Sequence, residues 1–483
     1  MVQIKLPEII LTGICPALLL CGAGIIALMV GLFLRKGTIG VSAVISLVGV
    51  ALGFLANMPL RTMKQIAFNG MLTVDAYSWF FNMLILIAAG LTILISTRYL
   101  FDQGLESYEY FVLLLFCSAG MMFMVAGNHL LTIFIGLETL SISVYVLTGI
   151  MPASAKARES ALKYLILGAF SSAVFLYGAA LLYGSGASLS LDGLAKYFKG
   201  GQVSLMASAG MVMLIVGFGF KVAAVPFHMW TPDVYEGAPA PITGFMSVGV
   251  KAAAFAAFAR VLFEASGELP AIWTNILWCL AALTMILGNL AALVQENIKR
   301  MLAYSSIAHA GYLLIGMVAG TPEGTSSMLY YLLAYTFTNL GAFGIVALVG
   351  RQGEANVMLD DYRGLSRTHP MLALTMSLFL FSLAGIPPLA GFVAKFAIFK
   401  SALTQGYIWL VIIGVLTSAA SVFYYFRVVM KMYMEAPEEE LAAVEFSPGM
   451  VLALAVAAVV IIYIGVFPTT YLGLAAESVK PLF

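Results

Sequence analysis

The sequence predicts an all-α polytopic membrane protein of about 14 transmembrane helices, and three observations predict it. The 483 residues are 62% hydrophobic and only 10% charged, where a soluble domain carries about 25% charged residues. Mean hydropathy is +1.01 over the whole chain. Apolar runs of roughly 20 residues, each long enough to cross a bilayer, follow one another with short connections. Period-2 alternation is missing, which excludes a β-barrel.

The runs lie at 9–34, 38–57, 79–97, 108–127, 129–150, 161–184, 204–230, 241–264, 270–295, 300–319, 325–350, 371–402, 405–432 and 448–474. The first has no basic leader and is too long for the apolar core of a signal peptide, so it reads as a span. A net charge of +1, from 24 Lys+Arg against 23 Asp+Glu, excludes nucleic-acid binding by counterion release. The four cysteines, Cys15, Cys21, Cys117 and Cys279, stand singly in apolar runs. They signal neither a disulfide framework nor a metal cluster and read as small hydrophobes. Thirteen of the 24 basic residues fall on one set of alternate loops, among them Arg35, Lys36, Lys299 and Arg351; eight, including Lys5 and Arg260, fall on the other. That excess puts both termini on the non-cytoplasmic side.

Three lysines fit neither set of loops: Lys221, Lys251 and Lys395. One acid, Glu138, joins them midway along the fifth span, in FIGLETLSISVY. Lys251 stands about 15 Å into the eighth span at 1.5 Å per residue. A charge at mid-membrane costs about 2.5–3.5 kcal/mol, so four unpaired ones would cost on the order of 10 kcal/mol. A lysine near a helix end can snorkel, and an acid can sit in a structural pair. Four titratable groups centrally placed, with no other acid competing for the lysines, point instead to an ion path.

Proline inside a helix removes a backbone donor and clashes with the preceding turn. Pro226 does so in the seventh span, and Pro387 and Pro388 do so in the twelfth. Such interruptions at corresponding places in two halves point to a transporter site. Grouping the chain as 108–264 and 265–432, flanked by 1–107 and 433–483, gives two units of five helices. The broken helix is fourth in each, and an odd helix count inverts the second copy. The expectation is a pair of inverted five-helix repeats, each with a broken helix and a lysine near the break.

The stretches HMWTPDVYEGAPAPITGFMSVGVKAAAF (228–255), ENIKRMLAYSSIAHAGY (296–312) and GIPPLAGFVAKF (385–396) closely resemble the antiporter-like membrane subunits of NADH–quinone oxidoreductase, respiratory complex I. The PDVYEGAP form looks like the subunit N branch rather than the L or M branches, and no long lateral helix of the L type follows the last span. The resemblance covers spans 4–13 and implies fourteen helices with inverted repeats. It makes Glu138 the acidic partner, Lys221 the protonatable lysine of the first broken helix, and Lys251 the connecting lysine. It makes His309 a polar relay position and Lys395 the lysine nearest the outer exit. It also implies other antiporter-like and small membrane subunits as partners, a bacterial inner membrane, and NADH, FMN, iron–sulfur clusters and quinone bound in those partners. No redox cofactor site is expected in this chain, which has no GxGxxG after a strand, no P-loop and no cysteine cluster.

In physical terms, a low-dielectric surrounding disfavours an ammonium and a nearby carboxylate favours it. Moving one charge against ~150 mV takes about 3.5 kcal/mol, within what burial imposes on an amine. Hard cations want several oxygen ligands; a path of three amines and one carboxylate repels sodium and suits protons. The alternative is an Mrp-type cation/proton antiporter subunit, and a third possibility is a scaffold whose charges only fix packing. His228, Asp233 and Glu236 share no helical face and read as a loop, not a metal site; His129 and His369 also read as loop residues. Gly49-x-x-x-Gly53 and Gly168-x-x-x-Ser172 read as helix-packing faces, and Glu435 to Glu445 reads as a solvated loop.

Overall fold

The computed structural model describes residues 10–34, 37–200, 203–266, 271–350, 352–437 and 445–483. Lys5, Arg35, Lys36 and Arg351 of the orientation count lie outside these, as do residues 438–444 of the acidic stretch. Among the described residues, 13 helices are long and apolar enough to cross a membrane. They are Leu11–Phe33, Thr38–Thr62, Ala76–Asp102, Glu109–Ala126, Leu130–Thr148, Ala155–Gly184 and Leu205–Val222, then Ala240–Ala265, Trp273–Leu293, Ile298–Val318, Pro322–Val349, Ile408–Met434 and Pro448–Val466. The twelfth predicted span is two helices, Pro370–Ala384 and Ala390–Thr404, separated by the diproline. The chain is an all-α polytopic membrane protein.

Helices in lipid satisfy their own backbones and associate through close packing, which small residues permit. A Cβ on Gly49 would lie 2.3 Å from Ala23 Cβ of the first span, and one on Gly168 would lie 2.0 Å from the Tyr145 hydroxyl. Both predicted packing faces therefore meet a neighbouring helix. The eighth and eleventh spans are buried throughout their most apolar stretch and the tenth almost so, whereas in the second and thirteenth most residues of that stretch are not buried. The interior of the bundle is thus built from the helices that carry Lys251 and His309.

Several boundaries differ from expectation. The seventh span stops at Val222, and 230–237 form a separate short helix. The fourteenth stops at Val466; Pro468 opens a second helix to Val479, since its ring cannot continue the first. An amphipathic helix, Leu191–Lys199, and a two-stranded hairpin, Gln65–Ala67 with Leu72–Val74, fill loops where no element was expected. The eighth span contains a π-turn at Met246–Val250, directly before Lys251. Such insertions concentrate at functional sites.

Two charges of the orientation count are buried inside the bundle. Arg260 is fully buried and donates to both carboxylate oxygens of Asp75 at 3.0 Å, to Glu264 at 2.7 Å and to the Val125 carbonyl at 3.1 Å. Lys299 is equally buried and pairs with Glu354 at 2.5 Å. Sequence counting misplaced them because a fully paired charge can sit within an apolar helix. The ends of the acidic stretch are tied down: Glu435 pairs with Arg363 at 2.7 Å and Glu445 with Arg98 at 2.6 Å. His129 caps the fifth span, its Nδ1 accepting from the Leu131 amide.

Candidate functional site

At the first break, Pro226 has no amide hydrogen and its ring excludes the carbonyl four residues back, that of Val222. The helix ends there. Ala223 turns into the left-handed region at φ 62°, the Ala224 amide closes back on the Gly219 carbonyl at 2.8 Å, and the Val225 amide takes Thr284 Oγ1 at 2.9 Å. Lys221 sits in the last turn before the break. Its Nζ donates to Ser141 Oγ of the fifth span at 2.7 Å and lies 5.7 Å from the Tyr145 ring centroid.

The second break follows the same logic with the lysine on the other side. Pro388 excludes the Ala384 carbonyl from a continuing helix, and Gly385 caps it at φ 87°. The amides of Gly385 and Ile386 both return to the Phe381 carbonyl, at 3.1 and 3.0 Å. The free Ala384 carbonyl accepts from Lys395 Nζ at 3.0 Å, which places the amine at the negative end of that half-helix. Lys395 Nζ also donates to Ser418 Oγ at 2.9 Å and lies 5.1 Å from the Tyr312 ring centroid. A Cβ on Gly385 would lie 3.1 Å from Lys395 Cδ. Gly385→Ala should therefore cost about 1–2 kcal/mol for the left-handed backbone and displace the amine. Thermal unfolding in detergent and proton uptake in membranes should both fall; an unchanged melting temperature would show that the turn does not require glycine.

Between the breaks, Lys251 Nζ donates to the Ser306 carbonyl at 2.5 Å and to Ser306 Oγ, beside the Tyr335 ring at 5.8 Å. His309, one turn on, lies between two phenols: Nδ1 is 2.6 Å from Tyr331 Oη and Nε2 is 3.1 Å from Tyr425 Oη. Tyr425 also shares a hydrogen bond with Ser305 Oγ at 2.5 Å. A cavity of about 10 Å³, the space of about one water, separates His309, Tyr331, Thr338, Ser382 and Gly391 on the side of the second break. Lys221, Lys251, His309 and Lys395 are 2–4% exposed, so none snorkels to an interface.

The structure thus gathers Lys251 and His309 in the bundle interior and puts Lys221 and Lys395 at the two breaks. Glu138 is different. It is half-buried, its Oε1 has no hydrogen-bond partner, and among the described residues it makes no ion pair; Lys221 contacts Ser141, one turn along the same helix. Sequence reasoning missed the hydroxyl partners Ser141, Ser306, Tyr331, Tyr425 and Ser418. The signal for two of them was present in LETLSIS and SSIAH, each one turn from a titratable residue.

Asp233 and Glu236, expected in a loop, instead stand one turn apart on the helix Trp230–Gly237, where both face Arg300 and are held by cations. Lys163 and Arg300 donate to Asp233 at 2.8 and 2.7 Å, and Lys156 and Arg300 to Glu236 at 2.5 and 2.8 Å. Burial works to raise both carboxyls, and these hydrogen bonds and charges outweigh it, leaving both below the ordinary carboxylate value. Among the described residues no three His, Cys, Asp or Glu side chains are grouped to hold a metal. A larger cavity of about 740 Å³ opens elsewhere, with Lys64, Lys199, Asp75, Asp192 and Glu264 in its wall and none of Lys221, Lys251 or Lys395.

Residues 127–421 match the family model described as NADH:quinone oxidoreductase/Mrp antiporter, TM. The chain is 47% identical over 473 residues to NADH-quinone oxidoreductase subunit N of Trichlorobacter lovleyi, covering 97% of each chain. In solved structures, it is similar to a chain of respiratory complex I from Thermus thermophilus with bound aureothin, at 34% identity and TM-score 0.82, covering 95% of this chain and 99% of that one. It also shares the fold of a chain in the Mrp complex from Dietzia, at TM-score 0.83 and 19% identity, covering 98% and 97%.

Proposed function

Because the chain belongs to the NADH:quinone oxidoreductase/Mrp antiporter membrane family, we propose that it is a proton-translocating antiporter-like subunit of a bacterial NADH–quinone oxidoreductase. In this reading it works in the inner membrane beside other antiporter-like and small membrane subunits, with both termini outside the cytoplasm. NADH, FMN, iron–sulfur clusters and quinone belong to partner subunits, and quinone reduction there drives proton movement here. The lysine positions are compatible with two inverted five-helix repeats, 108–264 and 265–432.

One observation carries the proposal: the buried cations fall into two chemical kinds. Arg260 and Lys299 are clamped by carboxylates. Lys221, Lys251 and Lys395 each have a serine acceptor and a tyrosine face, and among the described residues no carboxylate within ion-pair distance. A contact carboxylate would hold the proton on the amine; hydroxyls and π faces stabilise the ammonium less, and a hydroxyl can turn to donate to the neutral amine. Such a site can load and unload.

The proton path runs from Lys221 to Lys251, then through the Ser305–Tyr425–His309–Tyr331 chain to Lys395. An imidazole between two phenols can accept on one nitrogen and donate from the other. The Tyr145 hydroxyl interacts with Ser141 and the Tyr335 hydroxyl with Ser306, the same serines that hold Lys221 and Lys251. Glu138 acts on Lys221 at a distance, and a small approach of the two would favour the ammonium.

The test is Lys221→Ala and Glu138→Ala, made separately in the assembled complex. Each should lower quinone reduction and proton uptake by about tenfold, the effect of about 1.4 kcal/mol in a barrier, with the subunit still assembled. Undiminished quinone reduction and proton uptake in both variants would remove these residues from the path. Sodium-driven pH changes in vesicles holding this chain alone would favour the antiporter alternative.

A further inference from the structure

The link between the first break and the eighth span, residues 238–240, is gripped by a residue far along the chain. Glu354 Oε1 accepts from the Ala240 amide and from Tyr99 Oη, both at 2.7 Å, and its Oε2 pairs with Lys299. Lys299 Nζ donates in addition to the Ala238 carbonyl at 2.5 Å. Glu354 is nearly buried and takes a left-handed backbone, φ 53°. For a residue with a Cβ that conformation is costly and persists where surrounding contacts impose it. The strap that carries it is docked on the start of the tenth span, with the Ile298 amide on the Val357 carbonyl and the Leu359 amide on the Glu296 carbonyl, each at 2.8 Å.

Lys299 and Ser306 are two turns apart on one face of the tenth span, and Ala240 and Lys251 lie on the eighth. The two helices therefore touch at two polar points, the Glu354–Lys299 clasp and the Lys251–Ser306 contact. Between them lies the π-turn, itself tied by Asn339 Nδ2 to Ser247 Oγ at 2.5 Å. A slide of two residues is about 3 Å, enough to carry a hydrogen bond beyond its reach of about 3.2 Å. A packed interior leaves the side chain little room to follow. We propose that Glu354 is a positioning residue: with Lys299 it fixes the axial register of the eighth span against the tenth and so keeps Lys251 on Ser306. The proposal rests on the reading of Lys251 as a relay group.

The test uses the assembled complex in membranes and reads protons moved per quinone reduced, a ratio that reduced assembly alone does not change. Glu354→Gln keeps the side chain's shape but turns an acceptor facing Lys299 into a donor. The ratio should fall roughly threefold, within the span of coupling changes seen for residues remote from a site. Lys299→Met should reproduce the loss and Lys299→Arg should restore the ratio. Ser306→Ala separates the two readings. If it leaves the ratio intact, the relay reading fails and takes the clasp with it. If it lowers the ratio, Glu354→Gln combined with it should add little, because both act on one contact. Losses that multiply would overturn the clasp and leave the relay standing. Where Glu354→Gln fails to assemble, Tyr99→Phe removes one donor and enters the same cycle with the same two outcomes.

Discussion

Lys395→Arg should cut proton uptake by at least about tenfold, equivalent to about 1.4 kcal/mol, while the subunit remains assembled. An arginine keeps its proton throughout the working pH range, so the site would stay loaded. Geometry adds to the effect. The amine is seated between the Ala384 carbonyl and Ser418 Oγ, with its stem against Gly385, and a guanidinium is wider than that seat. Lys395→Met separates charge from size: it cannot take a proton, and it should fail as badly. If arginine abolishes uptake and methionine does not, Lys395 is a plugged gap and not a carrier. Proton flux into sealed vesicles, with the subunit quantified in the same membranes, decides between them.

Asp75→Ala should destabilise the chain by about 3–5 kcal/mol, the cost of stranding one member of a buried ion pair. Asp75 is 1% exposed and its partner Arg260 is fully buried. The same carboxylate caps the third span, accepting from the Ser78 amide at 2.7 Å, and Arg260 closes the fourth by donating to the Val125 carbonyl. The third and eighth spans therefore lose a contact outright when this side chain goes, and the guanidinium that closes the fourth loses its anchor. Asp75→Leu with Arg260→Met should cost less than either single change, because the two fully buried charges leave together and only the partly exposed Glu264 loses a partner. Unfolding in detergent measures the difference; equal losses in the single and double variants would show that the pair contributes through packing alone.

These two expectations differ in kind for one physical reason. A buried cation held by a carboxylate is part of the frame, and its removal shows up as lost stability. A buried amine held by hydroxyls and rings is poised between two protonation states, and its alteration shows up as lost transfer. The clasp at Glu354 sits between the kinds: an ion pair whose loss is expected in the coupling ratio, because its helix carries one of the poised amines.

The sequence by itself determined the all-helical membrane class and the places where two helices break. Hydropathy and proline act locally: a run of apolar residues partitions into lipid wherever it stands, and a proline excludes the carbonyl four residues back in any helix. The same local reasoning marked Lys221, Lys251 and Lys395 as misplaced charges, and a resemblance in short motifs added His309. Only the tertiary structure decided which buried charges are paired. Asp75 and Arg260 lie 185 positions apart, as Glu354 and Lys299 lie 55 apart, and the contact that neutralises each exists only after the bundle closes. It also put Lys221 on Ser141, with Glu138 a turn away and out of contact, and inserted a π-turn ahead of Lys251. Spacing along a chain cannot report these, since partners on different helices are chosen by packing in three dimensions.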